Sequence, residues 1–327
     1  MVKKLFVVAA LVAGCSTALG VMAASASRAV QTAATQTFSP GPEQTFTLPS
    51  AGRLDVVVVA GTGGNNAQND GFGGYGSVVT ATFPSVSPGT YYVDVGANGG
   101  TPSGGASGTQ PSGGNSGTNC CIGGGGGGGA SMILHCSLNS STCRSLFYTG
   151  SEPRLVVAGG GGGAGNDDGC NGGNAGPGTP SASDGPNCAH GGGGGGGVGG
   201  NGRDVTDYYI ANTGAVKGQG GRGATQGHAG AGGFSSDGFG PGAAGSGPFG
   251  GNGFTTTQNA TLGAGGGGGY YGGGGGGSCD TSCGTYGAGA GSGSSWVMAG
   301  ALNVTYGNDT SATPRVQVTY TPKIHKV

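Results

Sequence analysis

The chain has 327 residues, 87 of them glycine, with 12 basic and 13 acidic side chains and a formal net charge of −1. Charged residues make up 8%, against about 25% in an ordinary globular domain. So sparse and balanced a charge lacks the basic patch that binding to nucleic acid or to an anionic membrane requires.

Residues 1–26 read as an export signal. Lys3 and Lys4 form a positive start, and the apolar residues 5–13 that follow are too short to span a bilayer. Two processing routes stay open. Leu11-Val12-Ala13-Gly14-Cys15 fits a bacterial lipobox, in which Cys15 would be lipidated. Alternatively Ala24-Ser25-Ala26 is an A-x-A cleavage site. Residues 27–44, polar and bearing Ala, Thr and Pro, read as a flexible tether.

A single glycine-rich domain is expected over residues 45–321, with 322–327 as a tail. Residues 53–60 form a strand whose valine run predicts burial on both faces. Val79, Ala81 and Phe83 then share a face, Ser87-Pro88-Gly89-Thr90 is a turn, and Tyr91, Val93 and Val95 alternate with polar neighbours. The three strands read as an antiparallel meander. Residues 130–135, Leu146-Phe147-Tyr148 and residues 153–158 predict further strands, as do residues 295–298, 302–306 and 315–320. Strands thus come from about 45–95, 130–158 and 295–321, and helix signals after the export segment are almost absent. Trp296 is assigned to the core.

Between them lie two glycine-dominated stretches, about 96–129 and 159–293. Pure runs occupy residues 123–129, 159–163, 191–197, 265–269 and 272–277. A structureless insert of that length would be implausible inside a compact domain. Collagen needs a strict triplet and much proline, and only 15 prolines occur. A third conformation is a bundle of extended, polyproline-II-type helices with three residues per turn. Their outward-pointing N–H and C=O groups can pair only with a close neighbour, and only glycine permits that approach on all sides. Pure runs would lie inside such a bundle, and mixed segments such as residues 172–176 at its edge.

Nine cysteines are present, and without Cys15 eight remain: Cys120, Cys121, Cys136, Cys143, Cys170, Cys188, Cys279 and Cys283. An even set in an exported chain predicts a disulfide framework. Proximity in sequence suggests Cys136–Cys143 and Cys170–Cys188, with Cys120 and Cys121 paired to Cys279 and Cys283. No spacing fits a zinc site.

The order of strand–glycine junctions resembles the glycine-rich extracellular domain of anaplastic lymphoma kinase and leukocyte tyrosine kinase, and related bacterial surface proteins. The likeness is carried by the run at 123–129 leading into Ala130-Ser131-Met132-Ile133-Leu134, by Leu155-Val156-Val157-Ala158 leading into glycine, and by Tyr270-Tyr271 between two runs. It implies a mainly β fold, a tumour-necrosis-factor-like jelly-roll β-sandwich with an inserted polyglycine helix bundle. It also implies a ligand-binding or adhesive surface. This chain carries no kinase domain, so receptor signalling is not implied.

Catalytic patterns are lacking. With so much glycine, G-x-G-x-x-G arises by chance, and the four histidines have no acidic partner at suggestive spacing. Residues 162–167 and 199–204 each half-match a calcium-binding nonapeptide without the tandem repeat it needs. No catalytic, cofactor-binding or metal-ligating residue is expected. Aromatics within glycine are the functional hint: Tyr270, Tyr271 and Phe239 are candidate binding residues, against the alternative that they pack the bundle onto the strands. The expectation is an exported, non-enzymatic surface or secreted protein of bacterial type. Its partner would be an extracellular protein or glycan, with membrane contact only through lipid on Cys15. A purely structural envelope or matrix protein and an ice-binding protein are the alternatives.

Overall fold

The computed structural model describes residues 33–67, 71–101, 111–117, 123–149, 151–166, 170–176, 188–189, 197–206, 216–235, 240–255, 262–278 and 287–323. In chain order the strands are β1 (Ala34–Phe38), β2 (Gln44–Leu48), β3 (Gly52–Val59), β4 (Ser77–Val86), β5 (Gly89–Asp94) and β6 (Ser131–Leu134). After helix α1 (Ser141–Ser145) come β7 (Arg154–Ala158), β8 (Cys188–Ala189), β9 (Asp204–Thr206), β10 (Val216–Gly218), β11 (Trp296–Val297), β12 (Leu302–Asn308) and β13 (Arg315–Pro322).

Two five-stranded antiparallel sheets, ordered β1-β13-β3-β4-β12 and β11-β7-β6-β5-β2, carry the apolar core. A third, small sheet runs β10-β9-β8. The protein is mainly β, and period-two patterning explains the core. On β13, Val316, Val318 and Tyr320 are buried while Arg315, Gln317 and Thr319 are only half-buried. On β4, Val79, Ala81 and Phe83 all enter the core. Together with Leu54, Val56 and Val58 of β3 they meet Tyr91, Val93, Ile133 and Leu155 of the other sheet.

Several expectations change. The stretch read as a tether contains β1, which pairs along its whole length with β13. Its pattern Ala34-Thr35-Gln36-Thr37-Phe38 buries only Phe38, too little apolar content to mark a strand from sequence. The valines of β3 are buried on both faces only at the end of the strand, where Val58 and Val59 are both buried, while Val57 is half-buried beside Val56. β3 and β4 do pair antiparallel, but β5 leaves them and pairs with β2 and β6 in the second sheet. Leu146-Phe147-Tyr148 is a turn after α1 rather than a strand. Here Ser140 caps the helix by accepting the Cys143 N–H, and Tyr148 takes a left-handed φ of 63°. A Cys136–Cys143 disulfide closes this loop.

The pure glycine runs at 123–129, 159–163, 265–269 and 272–277 are buried throughout. Their backbone pairing repeats every three residues. Gly125 and Gly128 donate to Ala164 and Gly161, Gly126 and Gly129 to Gly100 and Ala97, and Gly127 and Ala130 to Gly114 and Pro111, at 2.7–3.2 Å. Residues 160–165 follow the same rule, with N–H groups aimed in turn at Gly268, Gly61 and Gly173 and then at Gly265, Gly64 and Cys170. Carbonyls are used likewise: Gly126 and Gly129 accept from Gly64 and Gly61, and Gly125 and Gly128 from Gly265 and Gly268. The run at 123–129 is thereby enclosed by five other segments.

Glycine is required here for close approach, not for unusual dihedrals. Among the described glycines only Gly89, Gly197, Gly247 and Gly300 have positive φ. A Cβ on Gly127 would lie 1.9 Å from the Gly266 carbonyl oxygen, and one on Gly125 1.8 Å from that of Gly64. The mixed segment at 172–176, expected at an edge, is buried, and so are residues 170 and 171 before it. Its Asn171 and Asn174 Oδ1 atoms accept the Phe72 and Tyr75 N–H groups at 2.7 and 2.9 Å, doing the work of a neighbouring carbonyl. Asn201 and Asn252 accept Gly223 and Asn115 N–H groups in the same way. Where strands run into glycine, serines bridge: the Gly159 N–H lies 2.9 Å from both Ser77 Oγ and Ser295 Oγ.

Gly127→Ala is therefore expected to destabilise the fold by about 3 kcal/mol or more, because backbone rather than a side chain must yield. Gly41→Ala, whose Cβ would meet nothing closer than 4.0 Å, is expected to stay within about 0.5 kcal/mol of wild type. Urea unfolding of both variants checks the pair.

Candidate functional site

The outer face of the β7–β6 pair is covered by the tyrosine pair that interrupts glycine. Met132, Leu134 and Val157 pack there with Leu138, Tyr270 and Trp296. Trp296 thus lies outside the core between the sheets, stacked on Tyr270 at 4.9 Å with the rings 13° apart. β11 is only two residues long and pairs with β7, which turns Trp296 towards this face.

At the centre is Arg154, the first residue of β7, whose side chain is fully buried. Its Nε and Nη2 donate to the two carboxylate oxygens of Glu152 at 2.6 and 2.7 Å. Its Nη1 donates to the Tyr270 carbonyl at 3.2 Å. The guanidinium carbon lies 4.1 Å from the Phe147 ring centroid, 4.7 Å from Tyr148 and 4.0 Å from Tyr270. A planar, permanently charged fork with aromatic faces around it is a task for arginine and not for lysine. Burying a charge is tolerable only when it is paired and hydrogen-bonded, as this one is.

Around that anchor the rings interlock. Tyr148 stacks on Tyr271 at 4.4 Å and meets Tyr270 edge-on at 5.4 Å. Its hydroxyl donates to the Tyr270 carbonyl at 2.6 Å, and its N–H donates to Glu152 at 3.1 Å. These contacts hold Tyr148 in its left-handed conformation, a kind of strain that concentrates at functional positions. Tyr148 is still 39% exposed, and Tyr271 is half-buried. Beside them opens a mostly apolar cavity of about 220 Å³, lined by Pro111, Leu138, Arg144, Phe147, Tyr148, Pro248 and Phe249. Arg144 donates to the Leu138 carbonyl across its wall.

Burial and the negative charge of Glu152 push the Tyr270 phenol up to about 12, and burial pushes Tyr148 up to about 12 against the pull of Arg154. Burial also pushes Glu152 upward. The hydrogen bonds and charge of Arg154, with the Tyr148 and Arg154 N–H groups, outweigh it and hold the carboxyl below its ordinary range. Neither tyrosine ionises near neutrality, so the surface offers neutral rings and hydroxyls.

Of the candidate aromatics, Tyr270 and Tyr271 come together here, Tyr270 buried as a support and Tyr271 partly open. Phe239 lies outside the described residues, as do Cys15, Cys120, Cys121, Cys279, Cys283 and the side chain of Cys188. Cys170 is disulfide-bonded. Among the described residues no group of three or more His, Cys, Asp or Glu could hold a metal ion, and no helix is long and apolar enough to cross a membrane. Asp204, from one half-matched nonapeptide, is buried and accepts the Gly220 N–H at 2.7 Å. Sequence reasoning missed Arg154, Glu152 and Tyr148. The available signal was an arginine opening an otherwise apolar strand, with an acid two residues before it.

The chain matches no model of a known protein family, and no curated protein matches it significantly.

Glu152, with a carboxyl held low in the folded protein, contributes stability that is complete above the unfolded glutamate pKa of about 4.3 and lost as pH falls through the lower folded value. Melting temperature is therefore expected to drop on acidification below about pH 4.5, with a shallower drop in Glu152→Gln. Arg154→Lys is expected to cost about 2–4 kcal/mol near neutrality, since lysine keeps the charge but loses the fork and the ring contacts. Thermal unfolding across pH checks both.

Proposed function

We propose that this chain is an exported, non-enzymatic, glycine-rich binding scaffold of the cell surface or extracellular space. In this reading the two sheets form a jelly-roll sandwich, and the glycine segments are left-handed helices of the polyglycine kind packed into a bundle beside it. The three-residue repeat of N–H directions and the negative φ of nearly all described glycines support the helices. The resemblance to glycine-rich extracellular domains and the export signal support the compartment.

The observation that carries a binding role is the Tyr148–Tyr271 stack: two partly open rings beside an apolar cavity, locked from behind by a caged arginine. Rings fixed in this way lose little entropy when a partner settles on them. The partner is an extracellular protein or glycan.

Arrays of glycans and extracellular proteins probed with wild type and with Tyr271→Ala test the reading. Saturable binding to at least one target, weakened about tenfold or more by the substitution, is expected. No target above background would point instead to a structural envelope or matrix role.

A further inference from the structure

Away from the tyrosine stack, four glycine segments and a loop enclose a groove of about 530 Å³. That size lies within the range of about 300–1,000 Å³ usual for small-molecule sites. Its floor is backbone: Gly63, Gly64, Gly73 and Gly99 present peptide groups with no side chain between. Its walls carry the rings of Phe72 and Tyr75, and no charged side chain lines it among the described residues. Phe72 is 42% exposed although it lies within a hydrogen-bonded segment, an arrangement with no packing benefit to the fold.

The polar groups on the walls are neutral and partly uncommitted. Asn98 Oδ1 accepts the Thr62 N–H at 3.0 Å and its amide donates to the Ala312 carbonyl at 2.9 Å, which leaves one N–H and one lone pair. Asn65 accepts the Gly73 N–H at 3.1 Å, which leaves its amino group unspent. At the floor Asn174 is 1% exposed, its Oδ1 bound to the Tyr75 N–H, while its buried Nδ2 has no partner within the protein. A buried donor without a partner is costly enough to need an explanation. The Asn65 and Asn98 amides are also pinned through their oxygens to the backbone, so their donors are held in place before any ligand arrives.

We infer that this groove is a binding site for a neutral saccharide. Flat apolar rings match the C–H face of a pyranose. Fixed neutral amides match hydroxyls, each of which both donates and accepts. Among the described residues no charge lines the groove, which disfavours anionic or cationic ligands, since these would be desolvated there without a counter-charge. The site is independent of the tyrosine stack and does not need it to be a binding surface.

A printed array of neutral and acidic glycans, followed by calorimetry with the strongest neutral responder, tests the inference. A neutral glycan is expected to bind, with affinity unchanged within about twofold when salt is raised to about 1 M. Phe72→Ala and Asn65→Ala are each expected to weaken it about tenfold, and Tyr271→Ala to leave it unchanged. Phe72 is an exposed side chain, so Phe72→Ala is expected to keep the wild-type melting temperature, and Asn65→Ala, which removes the acceptor of the Gly73 N–H, to lower it by no more than about 4 °C. No neutral responder, binding that both groove variants leave intact, or binding abolished by salt would each overturn the inference. A neutral responder lost in Tyr271→Ala but kept in Phe72→Ala would place the glycan on the tyrosine stack instead and also overturn it.

Discussion

The glycine-rich part of this fold rests on one contact, the hydrogen bond from a glycine N–H to the carbonyl of a glycine segment far away in sequence. Ordering a residue costs about 1–2 kcal/mol of backbone entropy, and glycine pays the most. A single backbone hydrogen bond returns about 0.5–1.5 kcal/mol. Runs such as 123–129 therefore hold only when both peptide groups are used and water is excluded. Five enclosing segments supply that condition. It is reachable only without Cβ atoms, because a methyl on Gly161 would sit 1.8 Å from the Gly74 carbonyl oxygen.

The sheets and the glycine segments depend on one another. β6 and β7 each continue directly into or out of a run, so the register of the strands sets the register of the glycine peptides. Serines at the junction join the two kinds of pairing: Ser131 Oγ accepts the Gly96 N–H and donates to the Val59 carbonyl. In return, the runs at 265–269 and 272–277 hold Tyr270 and Tyr271 between them, and these cover the outer face of the second sheet. The caged Arg154 is the rivet of that cover, because it bonds Glu152 in its own strand segment and the Tyr270 backbone across the gap.

Much of this was legible in the sequence. Period-two patterning placed β4 and β13 because alternate apolar residues leave a plain trace, and glycine purity marked the segments that must be enclosed. β1 left no such trace, since its burial falls on Phe38 alone. The turn at Leu146-Phe147-Tyr148 is apolar for a different reason, its rings being gathered around a guanidinium that no local pattern announces. The burial of residues 172–176 was also hidden, because asparagine reads as a surface residue. Here its side-chain oxygen stands in for a missing carbonyl neighbour, a role that becomes visible only once the neighbours are known.

Amide hydrogen exchange resolved to single glycines addresses the hydrogen-bonded enclosure most directly. Gly127, Gly161 and Gly267 each donate at 2.9–3.0 Å and are buried. Their N–H groups are expected to exchange as slowly as those of β3, protected by the global stability of the fold. Exchange of these glycines at the rate of an unstructured peptide, while β3 stays protected, would contradict the enclosure and return the runs to unpaired chain.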